Sequence, residues 1–197
     1  MKLIGISGTN GSGKDTAGGI LAGHFGYEFL SVTDALRDEA KRRGLEPERE
    51  VLRTISAEWR REVGLAVLVD KAVERYQKIG GKYVGLAIAS LRNPAEADRV
   101  HELGGTVLWL DADPHLRYDR IQAHKRERNR TYEDDKTFER FLAEEQAEMH
   151  ASGDAATLDM AAVKAKADVM IINEFPTPDG LASELAQRLH IDGNTVS

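Results

Sequence analysis

The chain of 197 residues contains no cysteine, which excludes disulfides and thiol chemistry and fits a reducing compartment. No apolar run approaches the roughly 20 residues that a membrane-spanning helix needs. The first residues lead straight into a strand-like segment rather than a charged and apolar leader, so a cytoplasmic location without a membrane partner is expected. An excess of basic charge is also lacking. The net charge is −6, which argues against a nucleic-acid partner despite the basic stretch at residues 125–130. The six histidines show no metal-ligand spacing, so no zinc centre is expected. No repeat or low-complexity tract occurs, and the tail over residues 191–197 is expected to fray. What remains is a length suited to a single α/β domain with a full core, as a monomer or homodimer.

Against that background one segment stands out, Gly8-Thr9-Asn10-Gly11-Ser12-Gly13-Lys14. It follows an apolar run, Leu3-Ile4-Gly5-Ile6, and precedes a helix-like stretch from Asp15 to Phe25, the strand, loop and helix context of a phosphate-binding loop. Glycines let the backbone wrap phosphate with inward N–H groups, the helix N-terminus adds positive potential, and the lysine reaches the β and γ oxygens. Gly8, Asn10, Gly11, Ser12, Gly13, Lys14, Asp15 and Thr16 are therefore expected to hold ATP, with Lys14 catalytic. The usual loop follows its lysine with Ser or Thr, whose hydroxyl binds Mg²⁺. Here Asp15 takes that place and Thr16 follows, so Asp15 is either a magnesium ligand or an acid favoured by the helix dipole.

Apolar segments at residues 3–7, 27–31, 83–88, 106–110 and 169–172 alternate with helical periodicity, which predicts a parallel sheet covered on both faces. Helices are expected at residues 14–25, 34–43, 48–62, 65–78, 94–103, 114–125, 136–149 and 178–189, with Pro94, Pro114 and Pro178 at helix starts. The expected division is a core of residues 1–44, 82–124 and 138–190, a helical acceptor-binding insert at 45–81 and a lid at 125–137.

Ligands of such a sheet sit at the C-terminal ends of its strands. Thr33, Asp34 and Arg37 follow the second strand, and Arg92 follows the third, where its guanidinium could fork a phosphate. Thr33 or Asp34 could equally cap a helix. Arg117 and Arg120 share a helix face leading to Arg126 and its basic neighbours, a cluster suited to stabilising transferred phosphoryl charge or to forming a solvated face. Arg120 and Arg126 are the catalytic candidates. Asn173 ends the last strand as a nucleotide-site or turn residue, and Asp111 ranks below Asp15 and Asp34 as a magnesium organiser.

Gly-Lys-Asp-Thr resembles the loops of phage-type deoxynucleoside monophosphate kinases, and animal phosphomevalonate kinases also carry Gly-Lys-Asp. Residues 31–37 resemble an adenylate kinase segment, which implies Thr33 and Arg37 at the acceptor and Asp34 at magnesium. Together with Leu91-Arg92-Asn93-Pro94-Ala95-Glu96 and Ala167-Asp168-Val169-Met170-Ile171-Ile172-Asn173-Glu174, the chain looks like archaeal nucleotide-kinase-like proteins related to dephospho-CoA kinases and adenylate kinases. The likeness implies a P-loop NTPase three-layer α/β sandwich with a five-stranded parallel sheet, a helical acceptor-binding insert and a lid. In that family an Asp ends the third strand, where this chain has Ala89 and Ser90, which leaves part of the magnesium site open.

These features predict an ATP- and Mg²⁺-dependent kinase that moves the γ-phosphoryl group to a nucleoside or deoxynucleoside monophosphate. Transfer to a hydroxyl, as in dephospho-CoA kinase, is the alternative, with Asp34 as base. A nucleotide-binding switch or slow ATPase is the second.

Overall fold

The computed structural model describes residues 1–80, 82–123, 137–150 and 153–192. Its sheet has five parallel strands in the order β2-β3-β1-β4-β5: β1 (Lys2–Gly8), β2 (Tyr27–Ser31), β3 (Gly85–Ala89), β4 (Thr106–Asp111) and β5 (Val169–Ile172). The expected parallel α/β sandwich is what the chain adopts. The inner strands are mostly apolar because both their faces are covered, and Ile6, Leu86, Ile88, Leu108 and Leu110 are fully buried. The order reverses on either side of β1, so a crevice opens beyond its carboxyl end, where ligands of open parallel sheets bind.

Around the sheet lie α1 (Lys14–Phe25), α2 (Val32–Arg42), α3 (Arg49–Glu62), α4 (Val67–Ile79), α5 (Pro94–Glu102), α6 (Pro114–Ala123), α7 (Phe138–Met149), α8 (Met160–Ala165) and α9 (Pro178–Leu189). On one face Ile20, Leu21 and Phe25 of α1 and Leu181 and Leu185 of α9 pack against Ile4, Ile6, Leu108 and Leu110. On the other, α2 to α5 share a core with Leu3, Leu86, Ile88 and Val107. Asn93 and Glu96 close a reciprocal capping box at the start of α5, with Pro94 just inside, so this helix begins where its sequence directs.

Several boundaries differ from the sequence reading. The third strand starts at Gly85 rather than residue 83, because Tyr83 and Val84 lie partly exposed before the sheet is entered. α2 starts at Val32, directly out of β2, and α4 starts at Val67. The six-residue α8 was not expected. Asp159 caps it by accepting from the Ala162 amide at 2.9 Å, and Met160 and Val163 cover Trp109. The segment expected as a lid lies outside the described residues except for Thr137, which caps α7. No described helix is long and apolar enough to cross a membrane.

Candidate functional site

The turn from β1 into α1 passes through three positions that exclude a side chain, Gly8, Gly11 and Gly13. At Gly8, φ is 144° and an added Cβ would stand 2.0 Å from the Leu110 carbonyl oxygen; at Gly13, φ is 95° and it would stand 2.5 Å from Asn173 Nδ2. The loop carbonyls are already engaged. Lys14 Nζ donates to those of Gly8 and Thr9 at 3.0 and 2.6 Å, Arg117 Nη1 to Asn10 at 3.2 Å, and Asn173 Nδ2 to Ser12 at 2.8 Å. Ser12 Oγ adds a bond to the Thr9 carbonyl at 2.8 Å. The amides are left over. No side chain caps α1, and the N–H groups of Lys14, Asp15 and Thr16 find no acceptor among the described residues. Free amides at a helix N-terminus suit an anion, since they supply both donors and positive potential.

The Lys14 ammonium is held at an electrostatic cost. Burial of its ammonium, reinforced by the charge of Arg92 and only partly offset by Asp15, lowers its pKa to about 7. An anion entering the loop would restore the charged form.

A cavity of about 370 Å³ extends from this loop, within the size range of small-ligand sites. Lys14, Asp15 and Thr16 form one wall, Thr33, Asp34 and Arg37 of α2 another, and Ser90 and Arg92 close the far end of β3. Arg37 donates to the exposed Asp34 carboxylate at 2.8 Å, so these two predicted residues are partners of each other. Ser90 adopts φ of 74°, a left-handed conformation disfavoured for a residue with a Cβ.

The remaining wall comes from α3, which the sequence reading did not assign to the site. Arg49, Arg53, Ser56 and Arg60 recur at helical spacing and all line the cavity. Glu148 of α7 meets three guanidiniums, with Arg53 Nη2 at 2.6 Å, Arg92 Nη1 at 3.0 Å and Arg49 Nε at 3.5 Å. Burial alone would raise its carboxyl pKa; Arg92, Arg49 and Arg53 outweigh that and hold it at about 2. Burial also lowers Arg92, against the pull of Glu148. The i, i+4, i+11 arginines were the readable signal, but on an isolated amphipathic helix they also fit a solvated face.

A buried ion pair fixes this wall. Arg60 reaches Glu96 Oε1 through Nε at 3.2 Å and Nη2 at 2.7 Å, and both side chains are almost fully buried. The other oxygen of Glu96 accepts from the backbone amides of Arg92 at 2.7 Å and Asn93 at 3.2 Å. Asn93 in turn holds the Ala155 and Thr157 carbonyls at 2.7 and 3.0 Å.

Other predicted residues lie behind the loop instead of facing the cavity. Arg120 donates to the Asn173 carbonyl at 2.8 Å, and Asn173 braces Ser12. Arg117 is buried, with Nη2 on Glu145 at 2.8 Å, and supports Asn10 rather than acting from a mobile face. Asp111 accepts from Thr9 Oγ1 at 2.8 Å and lies 3.5 Å from Lys164, so it too supports the loop. Arg126 lies outside the described residues.

A family model described as an AAA domain matches residues 4–148. The UPF0200 protein of Hyperthermus butylicus is 30% identical over 174 residues, covering 88% of this chain and 86% of that protein. The UPF0200 protein of Pyrococcus abyssi is 29% identical over 179 residues, covering 87% of each. Among solved structures, the shikimate kinase from Acinetobacter baumannii in complex with shikimate superposes with a TM-score of 0.53 at 18% identity, covering 100% of this chain and 95% of that one. That likeness establishes the shared fold.

Proposed function

The chain belongs to the AAA-domain family matched over residues 4–148 and to the archaeal UPF0200 group, and on that premise we propose that it is an ATP- and Mg²⁺-dependent kinase. Its acceptor in this reading is a nucleoside or deoxynucleoside monophosphate. One observation carries it: a single cavity has the glycine loop and Lys14 at one end and Arg92 with the α3 arginines at the other. Donor and acceptor phosphates would thus meet across a short gap, and the kinase fold of the solved neighbours supports the same assignment.

The loop amides and Lys14 would take the β and γ phosphates, while Asn10, Gly11, Ser12 and Gly13 shape the cradle. Arg92, with Thr33 and Arg37, would orient the acceptor. A phosphate acceptor is already ionised near neutral pH, so the work of the protein is positioning and neutralising charge. Asp15 and Thr16, both exposed at the cavity wall, offer a carboxylate and a hydroxyl to Mg²⁺, an ion that favours oxygen ligands and keeps several waters. Asp34 fits this task less well because Arg37 already engages it. Bound Mg²⁺ would supply charge neutralisation on the phosphates. Arg120 would act by holding Asn173 against the loop, and α3 with α4 would serve as the acceptor-binding insert.

Transfer to a hydroxyl is the second reading, favoured by the Asp34 carboxylate in the cavity wall, where it could accept a proton. A panel of nucleoside monophosphates, deoxynucleoside monophosphates and dephospho-CoA, assayed for acceptor-stimulated ADP release with ATP and Mg²⁺, separates the readings. Stimulation by a monophosphate supports the first and stimulation by dephospho-CoA the second. ADP release that no acceptor changes rejects both.

A further inference from the structure

Most charged side chains that line the cavity are already ion-paired. In the arginine cage around Glu148, Arg49 also meets Glu144, Arg53 also meets Glu50 and Arg92 meets Glu148, while Arg60 holds Glu96 and Arg37 holds Asp34. Lys14 and Asp15 differ. The Lys14 ammonium is turned back onto the Gly8 and Thr9 carbonyls, and the exposed Asp15 carboxylate makes no hydrogen bond or ion pair among the described residues. The two are near enough for their charges to interact without forming an ion pair. Asp15 therefore stands uncompensated in the first turn of α1, beside the free amides that suit an anion.

Resting on the reading of the glycine loop as the donor site, we propose that Asp15 is a specificity residue that selects the magnesium complex of the donor over the free triphosphate. The Ser or Thr usual at this position carries a neutral hydroxyl, which opposes neither form. A carboxylate discriminates. Against a metal-free triphosphate it sets like charge beside like charge and offsets part of the attraction that the α1 amides and Lys14 supply. With Mg²⁺ on the phosphates the sign of its contribution reverses, because an Asp15 oxygen then faces a hard cation that prefers oxygen ligands. The missing ion-pair partner is what gives the residue this role, since a carboxylate already neutralised by a guanidinium, as Asp34 is, would distinguish the two forms less. Its exposure to solvent keeps the effect moderate.

The test reads binding rather than turnover. The whole chain is titrated by calorimetry with the β,γ-imido analogue of ATP, which transfers no phosphoryl group, once in excess EDTA and once in saturating Mg²⁺ at the same pH and ionic strength. The wild-type protein should bind the analogue at least tenfold more tightly with Mg²⁺. Asp15→Asn, which keeps the shape and removes the charge, should raise the metal-free affinity roughly tenfold and lower the affinity measured with Mg²⁺. This opposite movement separates the proposal from a structural role, because an acid that only supports the start of α1 would lower both affinities when replaced. An unchanged metal-free affinity, or a fall in both conditions, overturns the proposal. Should that variant fail to fold, Asp15→Ser restores the usual hydroxyl and should raise the metal-free affinity by a similar factor; no rise there overturns it equally. Wild-type binding that is the same with and without Mg²⁺ also overturns it and leaves the donor-loop reading standing. No binding in either condition rejects the donor-loop reading and this proposal with it.

Discussion

Asn173, at the end of β5, donates its side-chain amide to the carbonyl of Ser12 at 2.8 Å, tying the last strand of the sheet to the glycine loop. The Asn173 amide nitrogen lies 2.5 Å from where a Cβ on Gly13 would be, so strand end and loop are in close contact. Asn173→Ala should therefore loosen the loop without altering any group that touches phosphate. Triphosphate affinity should fall roughly tenfold and stability by about 1–2 kcal/mol, since a buried carbonyl loses its partner. Nucleotide titration and urea unfolding of the same variant check this, and unchanged nucleotide affinity would show that the loop holds its shape alone.

Lys14 makes nucleotide binding proton-linked. Its pKa in the empty protein is lowered to about 7 by burial and by Arg92, and bound phosphate favours the charged ammonium. Above pH 7, triphosphate binding should take up a proton, visible as a binding enthalpy that changes with the ionisation heat of the buffer. Lys14→Ala should abolish this dependence and lower turnover by roughly a hundredfold or more, as for loss of one preorganised charge donor. The same shift affects folding. The unfolded chain binds the proton more tightly than the folded one, so this residue makes stability rise as pH increases from about 7 towards the ordinary lysine value.

Glu148 predicts the opposite end of the pH profile. Its folded pKa of about 2 lies below the ordinary carboxyl value of 4.5, so its contribution is complete above that value and is lost as pH falls through 2. The contribution is roughly 3 kcal/mol. Acid unfolding of Glu148→Gln should show a shallower loss of stability in this window than the wild-type protein; identical profiles would contradict the ion-pair account.

The Arg60–Glu96 pair should be sensitive to removal of one partner. Both side chains are almost fully buried, and Glu96 also holds the Arg92 amide. Glu96→Ala should cost about 3–5 kcal/mol because it strands a buried guanidinium. Denaturant titration measures this. Glu96→Gln retains an acceptor for the backbone amides, so it should recover part of the loss and keep phosphate affinity closer to wild type than the alanine variant does.

The strands and the glycine loop were legible because their signals are local. Val107-Leu108-Trp109-Leu110 can be apolar throughout only where both faces are covered, and Gly8 and Gly13 stand where φ is positive. The arginine cage was not legible in the same way. Glu148 lies 56 residues from Arg92 and 95 from Arg53, and no periodicity relates positions brought together only by packing. Arg117 and Arg120 were visible as a pair, yet their bonds to Asn10 and Asn173 depend on where β4 and β5 end. α8 escaped notice because six residues are too few to establish a helical period.

Since Arg60 is anchored to Glu96 and to the Ala156 carbonyl at 3.1 Å, the lower part of α3 is fastened to the core independently of its upper turns. Ser56 belongs to that anchor, since its hydroxyl accepts from Arg60 Nη1 at 3.3 Å, and Leu52 is buried in the core beside it. The helix thus presents Arg49 and Arg53 to the cavity from a footing that its own lower turn and the core hold in place.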